Sequence, residues 1–223
     1  MDEIRIDSVV RSRRRTIALV ITPEARLIVR APLRAPVALI DEAVREKAGW
    51  IRKKMAEMHA RPQAVCHAYE EGEIFWFLGR SYPLHIADDG RGIIERTDRL
   101  VVSQNARPDI PTAIHRWYID EARKEINARC MYFSMMTGYS PKSISLSGAR
   151  RRWGSCSTRG TINFSWRLIQ APLEIVDYVI VHEFVHLRQH DHSNLFWAKV
   201  KELMPDYERR RKWLRENERL MRI

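Results

Sequence analysis

Two histidines four residues apart flank a glutamate in the run His182-Glu183-Phe184-Val185-His186. On a helix, residues i and i+4 share a face one turn apart, so both imidazoles reach a single ion. Glu183 sits beside the first imidazole and can touch a water held by that ion. This set of residue types suits zinc-assisted hydrolysis, with Zn2+ on the imidazoles and the carboxylate as general base.

A catalytic zinc takes three protein ligands and leaves a fourth position open. Beyond His186 the candidates are His190, His192 and the later Glu202. His190 continues the stripe 182, 186, 190. On a straight helix His182 and His190 would stand about 12 Å apart along the axis. Ligand nitrogens lie only about 2 Å from zinc, so one ion cannot take both ends of that stripe. His192 is the favoured third ligand if the helix ends near Gln189 to Asp191 and the chain folds back. Ser193 would then cap a new helix running through Phe196 and Trp197 to Met204. His190 and Glu202 stay as alternatives.

The setting sharpens the pattern. Ile175, Val176, Val179, Ile180, Val181, Phe184 and Val185 make the helix apolar nearly all round, which is how a buried helix reads. Two His and one Glu inside such a helix are costly unless they are paired or bind a metal. Tyr178, one turn before His182, is a candidate oxyanion donor, although a packed core tyrosine is the stronger reading. Ser155 and Cys156 invite a covalent nucleophile. No separate base at useful spacing accompanies them, and the zinc route needs no covalent intermediate.

The rest of the chain must position these groups. Residues 4–31 read as strands, with a hairpin between 16–21 and 26–30 across a turn bearing Pro23. Apolar positions 37, 40, 44, 48, 51 and 55 have helical spacing over 37–59. Residues 73–104 are strand-like again, with a turn at Asp88-Asp89-Gly90 and strand residues at Ile93-Ile94. Pro108 to Pro111 is a natural boundary, and a helix follows to about Met136, ended by Gly138. Residues 144–168 read as β, with a hairpin turn at Thr158–Thr161. Pro172 opens the metal helix, and a last basic helix spans 207–222. The expected organisation is α+β: a β-rich N-terminal domain with one inserted helix, residues 1–105, and a helical catalytic half, residues 106–223.

With 223 residues and 45% hydrophobic content, the chain can bury a sizeable core; 30% charged residues mark it as water-compatible. Its net charge of +11 suits nucleic acid or an acidic partner, but the basic runs at 13–15, 150–152 and 209–212 accompany no recognised nucleic-acid motif. Cys66, Cys130 and Cys156 are an odd, sparse set, which argues against a disulfide framework and for a reducing compartment. No run approaches about 18 apolar residues, and Met1–Arg5 has no signal-peptide core. A cytoplasmic location with no membrane partner is the expectation.

Several of these stretches resemble a known family. Arg152-Trp153-Gly154-Ser155-Cys156, Ile162-Asn163, Asp177–Leu187 around the histidines, His192-Ser193 with Phe196-Trp197, Met204–Tyr207 and Lys212-Trp213-Leu214 are similar in order and spacing to the YgjP-like metallopeptidases. The match is dense over about 145–215 and looser before it. The resemblance implies a zincin-like fold with three histidine ligands, Zn2+, a Glu base and a polypeptide substrate. It also implies distant kinship with the SprT and Wss1 types of DNA-associated zinc protease. The ligand spacing equals that of metzincins, but Gln189 stands where those have Gly, so the turn before His192 must be made by another route. Two competing expectations are a zinc protein that works on or beside nucleic acid, and a degenerate fold kept for protein contacts. The intact Glu183 argues against the second.

Overall fold

The computed structural model describes residues 4–22, 24–60, 67–87, 95–103, 109–150 and 152–221. The chain divides into two compact units, Met1–Pro62 and Gln63–Ile223. Pro23, Cys66, the Asp88–Gly90 turn, Ile93-Ile94, Pro108 and Arg151 of the basic run at 150–152 lie outside the described residues.

In the first unit, β1 (Ser8–Ser12), β2 (Ala18–Ile21) and β3 (Leu27–Pro32) form a sheet in the order β1-β3-β2. The expected hairpin is present: β2 pairs antiparallel with β3, Leu19 opposite Val29, while β1 runs parallel to β3. Helices α1 (Val37–Glu46) and α2 (Ala48–His59) follow. One continuous helix over 37–59 was expected. The structure breaks it at Lys47 (φ −98°, ψ 12°). The apolar spacing continues across the break, so periodicity alone does not reveal it. Leu27, Val29, Ala31, Ile40, Val44 and Ile51 make a core of their own.

In the second unit, β4 (Ile74–Phe77), β5 (Arg80–Ala87), β6 (Glu95–Arg96) and β7 (Leu100–Ser103) form a sheet in the order β4-β5-β7-β6. The long helix α3 (Ile110–Thr137) comes next and ends at Gly138 in the left-handed conformation (φ 70°). A three-stranded sheet holds β8 (Ser143–Ser147), β9 (Gly154–Cys156) and β10 (Thr161–Ser165). The β9–β10 hairpin is the one expected, with Asn163 opposite Ser155, and β8 runs parallel to β10 on its other side. β9 is therefore an edge strand. The β reading to Leu168 overshoots: Trp166–Gln170 is a 3-10 turn with every residue buried. Arg167 donates from this turn to Gly148 O at 2.8 Å.

Helices α4 (Leu173–Val185), α5 (Asn194–Leu203) and α6 (Tyr207–Asn217) complete the unit. Phe75, Phe77, Leu84, Leu100 and Val102 share one core with Tyr118, Ile175 and Phe184. That shared core is why the compact units divide near 62, where the sequence suggested 105. Alternation says that a strand has an apolar face, not which core that face joins. No helix among the described residues is long and apolar enough to cross a membrane.

Candidate active site

Helix α4 carries the site, and both its ends are fixed by other elements. Leu78 and Gly79 turn the β4–β5 hairpin with φ of 47° and 75°, the doubly positive geometry of a type I′ turn. Their amides donate to Ile169 O at 2.8 Å and Gln170 O at 3.3 Å, just before α4 begins. A Cβ on Gly79 would fall 2.8 Å from Pro172 Cγ, so only glycine lets the turn lie against the helix start. On the flank of α4, Asp177 takes a bidentate pair from Arg129 of α3, at 2.6 Å from Nε and 2.8 Å from Nη2.

The helix ends earlier than the Gln189–Asp191 boundary expected. Its last regular residue is Val185, with His186 as C-cap. The amides of Leu187 and Arg188 bond back three residues, to Phe184 O and Val185 O, both at 3.0 Å. Gln189 then makes the turn that metzincins make with Gly. Its carbonyl accepts from His186 Nδ1 at 2.9 Å, and its side-chain amide donates to Asp191 Oδ1 at 2.7 Å. Asp191 Oδ1 also takes the Ser193 amide at 3.1 Å. No residue from 186 to 192 has positive φ. Ser193 occupies the N-cap position of α5 as expected, without a side-chain cap bond.

This turn brings His192 back to the helix. Its Nε2 lies 3.1 Å from His182 Nε2 and 3.2 Å from His186 Nε2. Two tetrahedral ligands at about 2.05 Å from zinc would stand about 3.3 Å apart, so the observed spacing fits one small ion. The Gln189 carbonyl accepts the Nδ1 proton of His186, which leaves its Nε2 lone pair free to ligate. His182, His186 and His192 form a cluster that could hold a metal ion. The alternatives lie elsewhere. His190 lines a different groove, and Glu202 is paired with Lys199 at 2.8 Å.

Aromatic rings fix the imidazoles. Phe196 is fully buried, with its ring centroid 4.9, 4.4 and 4.8 Å from those of His182, His186 and His192. Trp197 stacks on His192 at 5.6 Å. His182 Nδ1 is buried without a hydrogen-bond partner, so on that side its ring is held by packing. Burial, with the neighbouring imidazoles, holds the His182 pKa down to about 3, and burial lowers that of His186 too. Both shifts favour the neutral imidazole, the form that can ligate a metal.

Glu183 is 5% exposed, and its Oε2 has no partner. Burial pushes its pKa up to about 7, opposed by the charge of Arg152. A carboxyl poised near neutrality is suited to exchanging protons with substrate. It fits because β9 passes it at a glycine: a Cβ on Gly154 would lie 2.6 Å from Glu183 Cγ. Cys156 is a free thiol whose pKa is raised by burial and by Glu183, which leaves it a poor nucleophile. Tyr178 is 5% exposed, with its ring 6.0 Å from that of His182. The roles of Gly154, Phe196 and the Gln189 carbonyl had no signal in residue type. Gly154 stood only inside a stretch of family resemblance, and Phe196 there and in the helix expected after Ser193.

Comparison with known proteins places the chain in a family. No curated protein matches the chain. Among solved structures, the metallopeptidase zymogen of Pyrococcus abyssi abylysin is similar at 20% identity and a TM-score of 0.36, over 41% of this chain and 97% of that one. The family description "YgjP-like, metallopeptidase domain" matches residues 15–217. Nearly the whole sequence is thereby accounted for, and the chain belongs to the YgjP-like metallopeptidase family.

Proposed function

We propose that this metallopeptidase is zinc-dependent, with His182, His186 and His192 as ligands and Glu183 as general base. The observation that carries this reading is the convergence of three Nε2 atoms, at 3.1 and 3.2 Å, beside a buried carboxyl with an unpartnered oxygen. A zinc ion in that position supplies a Lewis acid that polarises a peptide carbonyl and acidifies water. Glu183 takes the proton of the attacking water at its free oxygen and hands it to the departing amine. Its burial, at 5% exposure, keeps bulk water from competing for that proton. The unpaired edge of half-buried β9 runs past Glu183 at Gly154, so an extended substrate can add to the sheet by main-chain pairing.

The test is metal stoichiometry on the purified chain by elemental mass spectrometry, followed by a cleavage screen. About one zinc per chain, lost in His182→Ala, supports the ligand set. Peptide cleavage that vanishes in Glu183→Gln while zinc stays supports the base. A chain that takes up no zinc, or turnover that survives Glu183→Gln, overturns the corresponding half of the proposal.

A further inference from the structure

A groove of about 560 Å3 is walled by Trp153, one face of α6 and Tyr178, whose ring lies 6.0 Å from that of His182. On α6, Arg215 lies four residues after Arg211 and three after Lys212, and all three line the groove. The basic run at 209–212 divides here. Arg209 and Arg210 are spent on Asp206, at 2.7 and 3.0 Å. Arg211, Lys212 and Arg215 make no ion pair among the described residues. Two acids, Glu208 and Glu218, share the lining. Glu208 is engaged by the Tyr207 hydroxyl at 3.2 Å, and Glu218 has a partner of its own.

Of the three cations that line the groove, Arg211 is tied to the candidate site by its contacts. Its guanidinium carbon stands 4.5 Å over the ring of Trp197, and that same ring stacks on His192 at 5.6 Å. One indole therefore separates this charge from a proposed metal ligand. Its charge also reaches His182, Tyr178 and Tyr207. The cation–π contact holds the planar fork in place before any substrate arrives. Tyr178 also lines the groove, and its hydroxyl makes no hydrogen bond among the described residues. The hydroxyl is not among the buried unpartnered atoms, so it is open to the groove and can donate to a ligand there.

The geometry points to this groove as a subsite for a substrate carboxylate close to the scissile bond, with Arg211 as its anchor and Tyr178 as a second donor. The inference rests on the metallopeptidase reading, because the anionic groups of a polypeptide are carboxylates. Two sources share that chemistry: an Asp or Glu side chain, and a free C-terminus. In either case the carboxylate accepts two parallel hydrogen bonds from the guanidinium, which a neutral amide cannot do.

The experiment is capture of synthetic randomised peptides on the immobilised full chain carrying Glu183→Gln, with bound peptides read by mass spectrometry. One pool has amidated C-termini and the other free carboxylates. Enrichment of Asp and Glu over Asn and Gln in the amidated pool assigns the side chain; enrichment confined to the free-acid pool assigns the terminus. Either should be about tenfold or more and should collapse in Arg211→Gln, as expected for loss of a charged hydrogen-bond partner. Arg209→Gln, already paired to Asp206, should leave it intact. Arg211→Lys, should Arg211→Gln fail to fold, retains the charge without the fork and should keep only part of the preference. No carboxylate preference in either pool, or one that survives in folded Arg211→Gln, overturns the subsite. Carboxylate capture without turnover by the unsubstituted chain on any captured peptide leaves the subsite standing and removes the peptidase reading. Turnover without preference does the reverse.

Discussion

Gly154 of β9 and Glu183 of α4 are in such close approach that a single methyl group cannot come between them. A Cβ built on Gly154 would lie 2.6 Å from both Cγ and Oε1 of Glu183. The edge strand and the candidate base are thus positioned by each other.

Gly154→Ala is therefore expected to push Glu183 from its place while leaving the three imidazoles where they are. Overpacking of this kind costs about 1–3 kcal/mol. If the cost falls on the carboxyl's position, turnover drops by about tenfold or more with zinc content unchanged. Parallel kinetics and metal analysis check it, and unchanged turnover would show that Glu183 can relax harmlessly.

The third ligand separates two histidines that are adjacent in composition but not in space. His192→Ala should weaken zinc binding by more than about tenfold, whereas His190→Ala should leave it within about twofold. Competition with a chromogenic chelator measures both. Equal effects from the two variants would contradict the geometry in which only His192 turns back to His182 and His186.

Arg129 and Asp177 tie α3 to the metal helix through two hydrogen bonds, with side chains 23% and 13% exposed. Arg129→Ala strands a largely buried carboxylate and should cost about 2–3 kcal/mol, part of the penalty of a fully buried pair having been relieved by solvent. In a chain of this size that lowers the melting temperature by about 4–10 °C. A shift under about 1 °C would mean that the pair is solvated and contributes little.

Stability of the metal-free chain should depend on pH through Glu183. Its folded pKa of about 7 lies above the ordinary value of 4.5 because burial disfavours the carboxylate. The folded state thus holds the proton more tightly than the unfolded one. The burial cost is fully present above about pH 7 and is relieved as pH falls towards 4.5. Glu183→Gln removes the charge, so with zinc chelated it should stabilise the fold at pH 8, by about 2–3 kcal/mol at most, and by much less at pH 5. Comparing the two melting curves at both pH values isolates this group from His182, whose lowered pKa acts oppositely and equally in both chains. A difference that does not shrink with falling pH would place the charge of Glu183 in contact with water.

Much of the site was legible from local pattern. The i, i+4 spacing of His182 and His186, the apolar run around them and Pro172 before them are consequences of one helix, and a helix is a local object. The chain return at His192 was also legible, because one ion cannot span the stripe to His190. The β9–β10 hairpin and α3 followed from short-range periodicity and turn residues in the same way. What only the tertiary structure decided is long-range. Whether β4–β7 share a core with α4 or stand apart is a choice between apolar faces that look alike in sequence. Lys47 interrupts a helix whose spacing runs on unbroken. Gly154 is needed only because Glu183, 29 positions later, arrives beside it. Phe196 under the three imidazoles and Arg211 one indole from His192 are likewise partnerships between segments. Residue types and spacing state which groups can bind or transfer a proton; packing between distant segments sets which groups meet, how dry they are and what stands beside them.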